Sequence, residues 1–202
     1  MNRIKLTIKK LKGYKDDSYT LLDVGCRDKK LQESLPISVS YIGVDIHENE
    51  DVVSHDLENP LPFSDNSFDV VTALDVIEHL ENSHQLLHEL KRVSRDLIIL
   101  SLPNIYHWGF RLRFLFGRDL GGKYKFPTEP IKDRHRWVTS FYSSVQFVQQ
   151  NSGSMNLFVQ PIVIERFGFR RVLQVFDLIG IHIAPNLFAY GVFFVLQQND
   201  FR

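Results

Sequence analysis

Four short apolar runs, YTLLDVG, YIGVDI, FDVVTAL and DLIILSL, recur between residues 19 and 102, each separated from the next by polar or helix-like sequence. They are rich in Val, Ile and Leu, the pattern of parallel strands buried on both faces, which restricts the chain to a sheet covered by helices. Between the third and fourth runs, NSHQLLHELKRVS puts Leu86, Leu87, Leu90 and Val93 on one helical face, with Asn82 and Gln85 in capping-box positions. Residues 28–35 read as a short helix with Leu31 and Leu35 inward, and residues 51–55 as a further strand. The first half is therefore a repeating β/α unit of the α/β class.

The second half has a different texture. From Pro103 to Arg136 strand periodicity disappears, aromatics accumulate, and eight Lys or Arg stand against three Asp or Glu. This reads as an insertion over a site, a lid or substrate region. WVTSFYSSVQFVQQ returns to helical spacing, with Phe141, Val145 and Val148 on one face and Thr139 or Ser140 as N-cap. LFVQPIVIE and LFAYGVFFVLQ are strand-like, with a helix expected around residues 170–180, and Pro161 places the former at an edge or bulge. A chain of 202 residues, 44% of them hydrophobic, fits one domain spanning residues 1–202.

Several classes are disfavoured. Twenty-four basic and 24 acidic residues balance, so whole-chain charge gives no reason to expect a nucleic-acid partner. One cysteine, Cys26, permits no internal disulfide, and MNRIKLTIKKLKGYKDD lacks the apolar core of a signal peptide, so the expected location is the cytoplasm. The most apolar stretch, residues 172–196, is interrupted by Gln174, Asp177, His182, Pro185 and Asn186; it reads as a buried helix followed by a buried strand, not a span. Near the N-terminus, Ile4, Ile8 and Leu11 recur at helical spacing among Arg3, Lys5, Lys9, Lys10 and Lys12. Such a helix either covers an end of the sheet or lies on an anionic membrane surface.

In an open α/β sheet, ligands bind beyond the carboxyl ends of the strands. There the sequence offers Asp23 and Gly25, then Asp45, then Asp56 and Leu57, then Leu74 and Asp75. Asp45 follows Gly25 by 20 residues, the separation at which a carboxylate after the second strand meets two ribose hydroxyls. A dinucleotide would also need the G-x-G-x-x-G seat for its pyrophosphate, which is absent. A phosphate-free, cationic adenosyl cofactor suits a crevice rich in carboxylates better.

Together, LLDVGC, YIGVDI, HDLENPLPFSDNSFDVVTALDVIEHL and DLIILSLPN resemble consecutive motifs of the class I S-adenosylmethionine-dependent methyltransferases, over roughly residues 19–104. SLPNIYHWGFRLRFLFGR resembles the corresponding segment of the MetW-like group. The resemblance implies a Rossmann-like α/β/α sandwich: a seven-stranded, mostly parallel sheet with helices on both faces and an antiparallel last strand. It also implies S-adenosyl-L-methionine as cofactor. Asp23 and Gly25 would face its methionyl end, with Cys26 and Arg27 in the same loop and the Arg27 guanidinium suited to its carboxylate. Asp45, followed by Ile46, would bind the ribose; Asp56 and Leu57 would frame the adenine; Leu74 and Asp75 would line the crevice near the transferring methyl. Arg27 and Lys29 depart from the family, which usually has glycines there; a left-handed backbone at such a residue costs about 1–2 kcal/mol.

His79 follows the fourth strand, where an acceptor could approach, and is the candidate general base. Tyr106, His107, Arg134, His135 and Tyr142 are the substrate-region candidates, beside a basic cluster that includes Arg111, Lys123, Lys125, Lys132 and Arg136. His79, His84 and His88 share some helical proximity but lack a supporting carboxylate pattern, so no metal is expected. The reading is a methyltransferase acting on a small-molecule acceptor. Two others stand beside it: a cofactor-binding regulatory or partner protein without turnover, and a peripheral membrane methyltransferase with a lipid-like acceptor.

Overall fold

A computed structural model describes residues 3–47, 51–124, 128–129 and 134–199. The four apolar runs form β1 (Thr20–Val24), β2 (Ser40–Asp45), β4 (Phe68–Leu74) and β5 (Ser94–Pro103), with a short β3 (Val52–Ser54) where residues 51–55 suggested one. β6 (Asn156–Ile162) and β7 (Gly191–Gln197) complete a seven-stranded sheet of order β3-β2-β1-β4-β5-β7-β6. β1 to β5 run parallel, and β7 lies antiparallel to both β5 and β6. Pro161 is therefore tolerated, because β6 is an edge strand.

Successive residues of each central strand enter opposite cores, as a period-two pleat requires. Leu22, Val71, Ile98 and Phe194 join one cluster, covered by α2 (Ser83–Val93) and α4 (Phe141–Asn151) through Leu86, Leu87, Leu90, Phe141 and Val148. Leu21, Val70, Ile99 and Phe193 join the other, where α1 (Arg3–Leu11) inserts Leu6 and Leu11. α1 thus covers the sheet, with Ile4 and Ile8 flanking its buried residues. Ser140 caps α4 in a reciprocal pair with Ser143.

Three local expectations need correcting. Residues 28–35 do not form an α-helix: Lys29 has φ 53°, outside the helical region, and only a 3-10 turn at Gln32–Ser34 follows, with Leu31 buried and Leu35 half-buried. Asn82 occupies the N-cap of α2 without a side-chain bond; Glu58 reaches across and accepts from the backbone N–H groups of Glu81 (2.7 Å) and Asn82 (3.1 Å). The helix expected around 170–180 is present as α5 (Arg171–Gly180), but it is not buried. Its apolar residues face outward, while Asp177 points in and accepts from Trp108 Nε1 (2.6 Å) and the Arg166 guanidinium (3.2 Å). Trp108 opens α3 (Trp108–Leu115), and α6 (Pro185–Phe188) packs beside α5.

Candidate active site

A cavity of about 800 Å³ opens beyond the carboxyl ends of β1, β2 and β4. Its first wall is the loop after β1, where Asp23, Gly25, Cys26 and Arg27 all line it. Asp23 is buried and accepts from Thr72 Oγ1 (2.7 Å) and the Tyr41 hydroxyl (2.9 Å). Burial outweighs these bonds and raises its carboxyl to about 6. Gly25 has φ 72°, and a Cβ there would lie 2.5 Å from Val76 Cγ2, so both conformation and space call for glycine. Cys26 packs its sulfur into the space left by Gly43; burial pushes its thiol up to about 12, making it a turn residue rather than a nucleophile.

The loop continues through two left-handed residues, Arg27 (φ 49°) and Lys29 (φ 53°), the positions where the resemblance led to an expectation of glycine. The left-handed turn is made here without glycine at either position. It is held by Asp45 at the end of β2, whose carboxylate accepts the Arg27 backbone N–H at one oxygen and that of His47 at the other, each at 3.0 Å. Asp45 and Ile46 line the second wall, and Asp56 and Leu57 the third, where Asp56 accepts from the Glu58 N–H (3.0 Å). After β4, Leu74 and Asp75 complete the floor; Asp75 also has a left-handed φ of 57° and is bound by Ser101 Oγ (2.6 Å) and Arg3. Each of these carboxylates keeps unused lone pairs, so all can still receive a ligand's donors.

The opposite end of the cavity is lined by His79, Lys123, Arg134, His135 and Arg136. Two of them, Lys123 and Arg136, were not among the sequence candidates for this site, and neither was Arg3 of α1, which also lines the cavity. Arg3 carries no local signal; Lys123 and Arg136 appear only as members of a basic cluster, whose Lys125 and Lys132 lie outside the described residues. His79 sits in a 3-10 turn, Ile77–His79, ahead of α2 rather than on it. Burial, aided by Lys123 and His135, lowers its imidazole to about 3. A base that weak is poorly matched to neutral pH, which argues against the general-base role. His135 falls to about 4 through burial and Lys123, and Lys123 itself falls to about 8 through burial and Arg27. The two imidazoles meet edge to face at 4.5 Å.

The other substrate-region candidates lie outside this cavity. His107 is buried as the N-cap of α3, accepting the Gly109 N–H (3.1 Å). Tyr106 and Tyr142 are exposed, the former beneath the Arg111 guanidinium. The sequence put them near the site because they flank the 103–136 segment, but among the described residues of that segment only Lys123 and residues 134–136 reach the cavity.

Residues 22–97 match the family described as Methyltransferase domain. Over 114 residues the chain is 31% identical to the bifunctional methionine biosynthesis protein MetXA/MetW of Rhodopirellula baltica, covering 56% of this chain and 18% of that protein. Among solved structures, the small RNA methyltransferase HEN1 superposes with a TM-score of 0.63 at 18% identity, over 98% of this chain and 25% of that one. A SAM-dependent methyltransferase from Archaeoglobus fulgidus superposes with a TM-score of 0.54 at 19% identity, over 96% of this chain and 94% of that one. The sheet order and these likenesses agree: residues 22–97 match a methyltransferase domain, and the chain has the fold of the SAM-dependent methyltransferases on which it superposes.

Proposed function

We propose that the cavity binds S-adenosyl-L-methionine and transfers its methyl group to a small-molecule acceptor. The observation that carries this is Asp45: two backbone N–H groups from different loops fix its carboxylate at the end of β2, leaving a lone pair on each oxygen for a pair of ribose hydroxyls. Asp23 and the exposed edge of Gly25 would meet the methionyl end, where a buried carboxylate suits a cationic ligand. Asp56 and Leu57 would flank the base. When bound, the cofactor supplies an electrophilic methyl. The protein's own part is to hold the acceptor in line and exclude water, because positioning is the main contribution available in such a displacement. The acceptor would enter between Asp75, His79, Lys123 and His135, with the 103–136 segment acting as a cover.

Calorimetric titration with S-adenosylhomocysteine tests this reading. Binding is expected, with Asp45→Ala weakening it at least tenfold, about 1.4 kcal/mol, while the fold survives. Absence of heat from the wild type overturns both the enzyme and the regulatory alternative. Binding without turnover across an acceptor panel would favour the regulatory protein.

A second reading, work at a membrane surface, is favoured by α5 rather than by the N-terminal helix. Lys5 and Arg3 of α1 are engaged with Glu165 and Asp75. No described helix is long and apolar enough to cross a membrane. α5 instead exposes Val172 (73%) and Ile179 (61%) beside exposed Arg170 and Arg171, an apolar face with a basic rim that suits an anionic bilayer. The Trp108–Asp177 bond ties it to α3, whose end exposes Phe114 (76%) near Arg113 and Arg118. Co-sedimentation with phosphatidylglycerol vesicles is expected, and its loss in Val172→Asp/Ile179→Asp; failure of the wild type to sediment overturns this reading.

A further inference from the structure

The walls of the cavity treat their carboxylates differently. Asp23, Asp45, Asp56 and Asp75 all accept hydrogen bonds, whereas Glu78 lies behind the acceptor end with its side chain fully buried and neither oxygen bonded to any donor. Leaving such a group unsatisfied costs about 1–3 kcal/mol or more for a charge, so its surroundings should supply a partner. Glu78 Oε1 faces two imidazole nitrogens, His79 Nε2 at 3.9 Å and His135 Nε2 at 3.9 Å. The three ligand atoms lie within 4.8 Å of one another, and both histidines line the cavity.

We propose that Glu78, His79 and His135 form a binding site for a divalent first-row transition-metal ion of the zinc or cobalt kind. The backbone builds the site. Glu78 O accepts from the N–H groups of Arg136 (2.9 Å) and Trp137 (3.3 Å), which clamps the 134–137 segment against the 3-10 turn and sets His135 opposite Glu78. His79 Nδ1 lies 3.0 Å from the Arg134 carbonyl, so it carries the proton, and the lone pair on Nε2 points into the cluster. That arrangement, one ring nitrogen on a carbonyl and the other toward the ion, is how metal-binding histidines are oriented.

Lys123 places its ammonium 3.3 Å from His79 Nε2, a tethered cation on the lone pair assigned here to the ion. It would have to swing aside. Bonds of about 2.0–2.1 Å in a tetrahedral site put ligands about 3.3 Å apart, so the 3.9 Å separations need closing by about half an ångström. Two imidazoles and one carboxylate leave an open coordination position. Resting on the reading of this cavity's acceptor end, that position would face the acceptor and could orient and acidify its hydroxyl.

The test uses tag-free full-length protein, stripped with chelator and titrated calorimetrically with Co²⁺ and Zn²⁺, with the visible Co²⁺ bands recorded. One ion per chain is expected, with His135→Ala and Glu78→Gln each weakening it by about tenfold or more, and Lys123→Met leaving it unchanged or tighter. Six other histidines can bind ions weakly, so binding that survives both His135→Ala and Glu78→Gln overturns the proposal, as does no binding to the wild type. Should one variant fail to fold by circular dichroism, the other decides. S-adenosylhomocysteine is titrated into the same samples: metal binding without it would remove the cofactor reading and leave the metal site standing, and the reverse result would do the opposite.

Discussion

The two ends of the cavity are built on opposite plans. At the end proposed for the cofactor, every wall follows directly from the strand before it, and its carboxylates are tied to N–H or O–H groups nearby: Asp45 to Arg27 and His47, Asp56 to Glu58, Asp23 to Thr72 and Tyr41. At the end proposed for the acceptor, Glu78, His79 and His135 come from segments 57 residues apart at the extremes, and polar atoms of Glu78 and His135 are buried without a hydrogen bond. A site made of satisfied groups is preorganised for a fixed ligand. One with buried unsatisfied groups holds free energy that a partner can release. The first plan fits a constant cofactor, and the second fits whatever completes the acceptor pocket.

The strongest way to break the preorganised end is at Gly25. Gly25→Val combines a left-handed backbone with a Cβ 2.5 Å from Val76, and should destabilise the fold by about 3 kcal/mol and abolish S-adenosylhomocysteine binding. Gly13→Ala supplies the control, since Gly13 has φ 74° but nothing within 4 Å of a Cβ. Its loss should be only about 1 kcal/mol, with binding intact. Urea unfolding and calorimetry read both. Equal losses in the two variants would mean that crowding against Val76 contributes nothing.

Next in size is a pair of buried carboxylates with opposite surroundings. Asp69, at the other end of β4, accepts from the Thr20 N–H and hydroxyl, Lys15 and Arg95, all between 2.7 and 2.9 Å. Burial pushes its carboxyl up, but the bonds from Lys15 and Thr20 prevail and hold it well below the usual range. Asp69→Asn should therefore lose about 1–3 kcal/mol at pH 7. A depressed carboxyl contributes stability above its unfolded pKa of about 4 and loses it as pH falls further, so the gap between variant and wild type should narrow below that pH. Glu78→Met should do the reverse in chelator-stripped protein, raising stability by about 1–3 kcal/mol by removing an unsatisfied group. Urea midpoints that move the same way in both variants would erase the distinction between the two plans.

The contrast also explains what could be read in the sequence. Strands buried on both faces need continuous apolar runs, and the residues that follow them must reach the crevice, so the sheet could be read locally, as could the place of the ten residues proposed for the cofactor, all of which line the cavity. Helix α5 was misread because burial was inferred from apolarity. Its one acid, Asp177, is instead drawn inward by Trp108 and Arg166, partners that no local pattern announces. Helical spacing likewise says little about which histidines meet in space. His84 and His88 share helical spacing but lie exposed on α2, whereas His79 precedes that helix and meets His135, 56 residues further along the chain. Backbone pairing between Glu78 and residues 136–137 makes the cluster, and such pairing leaves no periodic trace.

The smallest effect bears on the loop after β1, where Arg27 and Lys29 keep a glycine's conformation without its freedom. Arg27→Gly relieves about 1–2 kcal/mol of left-handed strain and gives back about 0.5–1 kcal/mol in backbone entropy, for a net gain of about 0.5–1 kcal/mol. It also retains the backbone N–H that Asp45 accepts, so the cofactor wall should keep its shape. S-adenosylhomocysteine affinity is accordingly expected within about twofold of wild type, about 0.4 kcal/mol. A tenfold loss beside the same gain in stability would give the guanidinium a direct part in holding the ligand's carboxylate. Arg27 would then have been retained at the expense of strain because it binds, and the cofactor end, too, would contain a group whose position is completed only by its ligand.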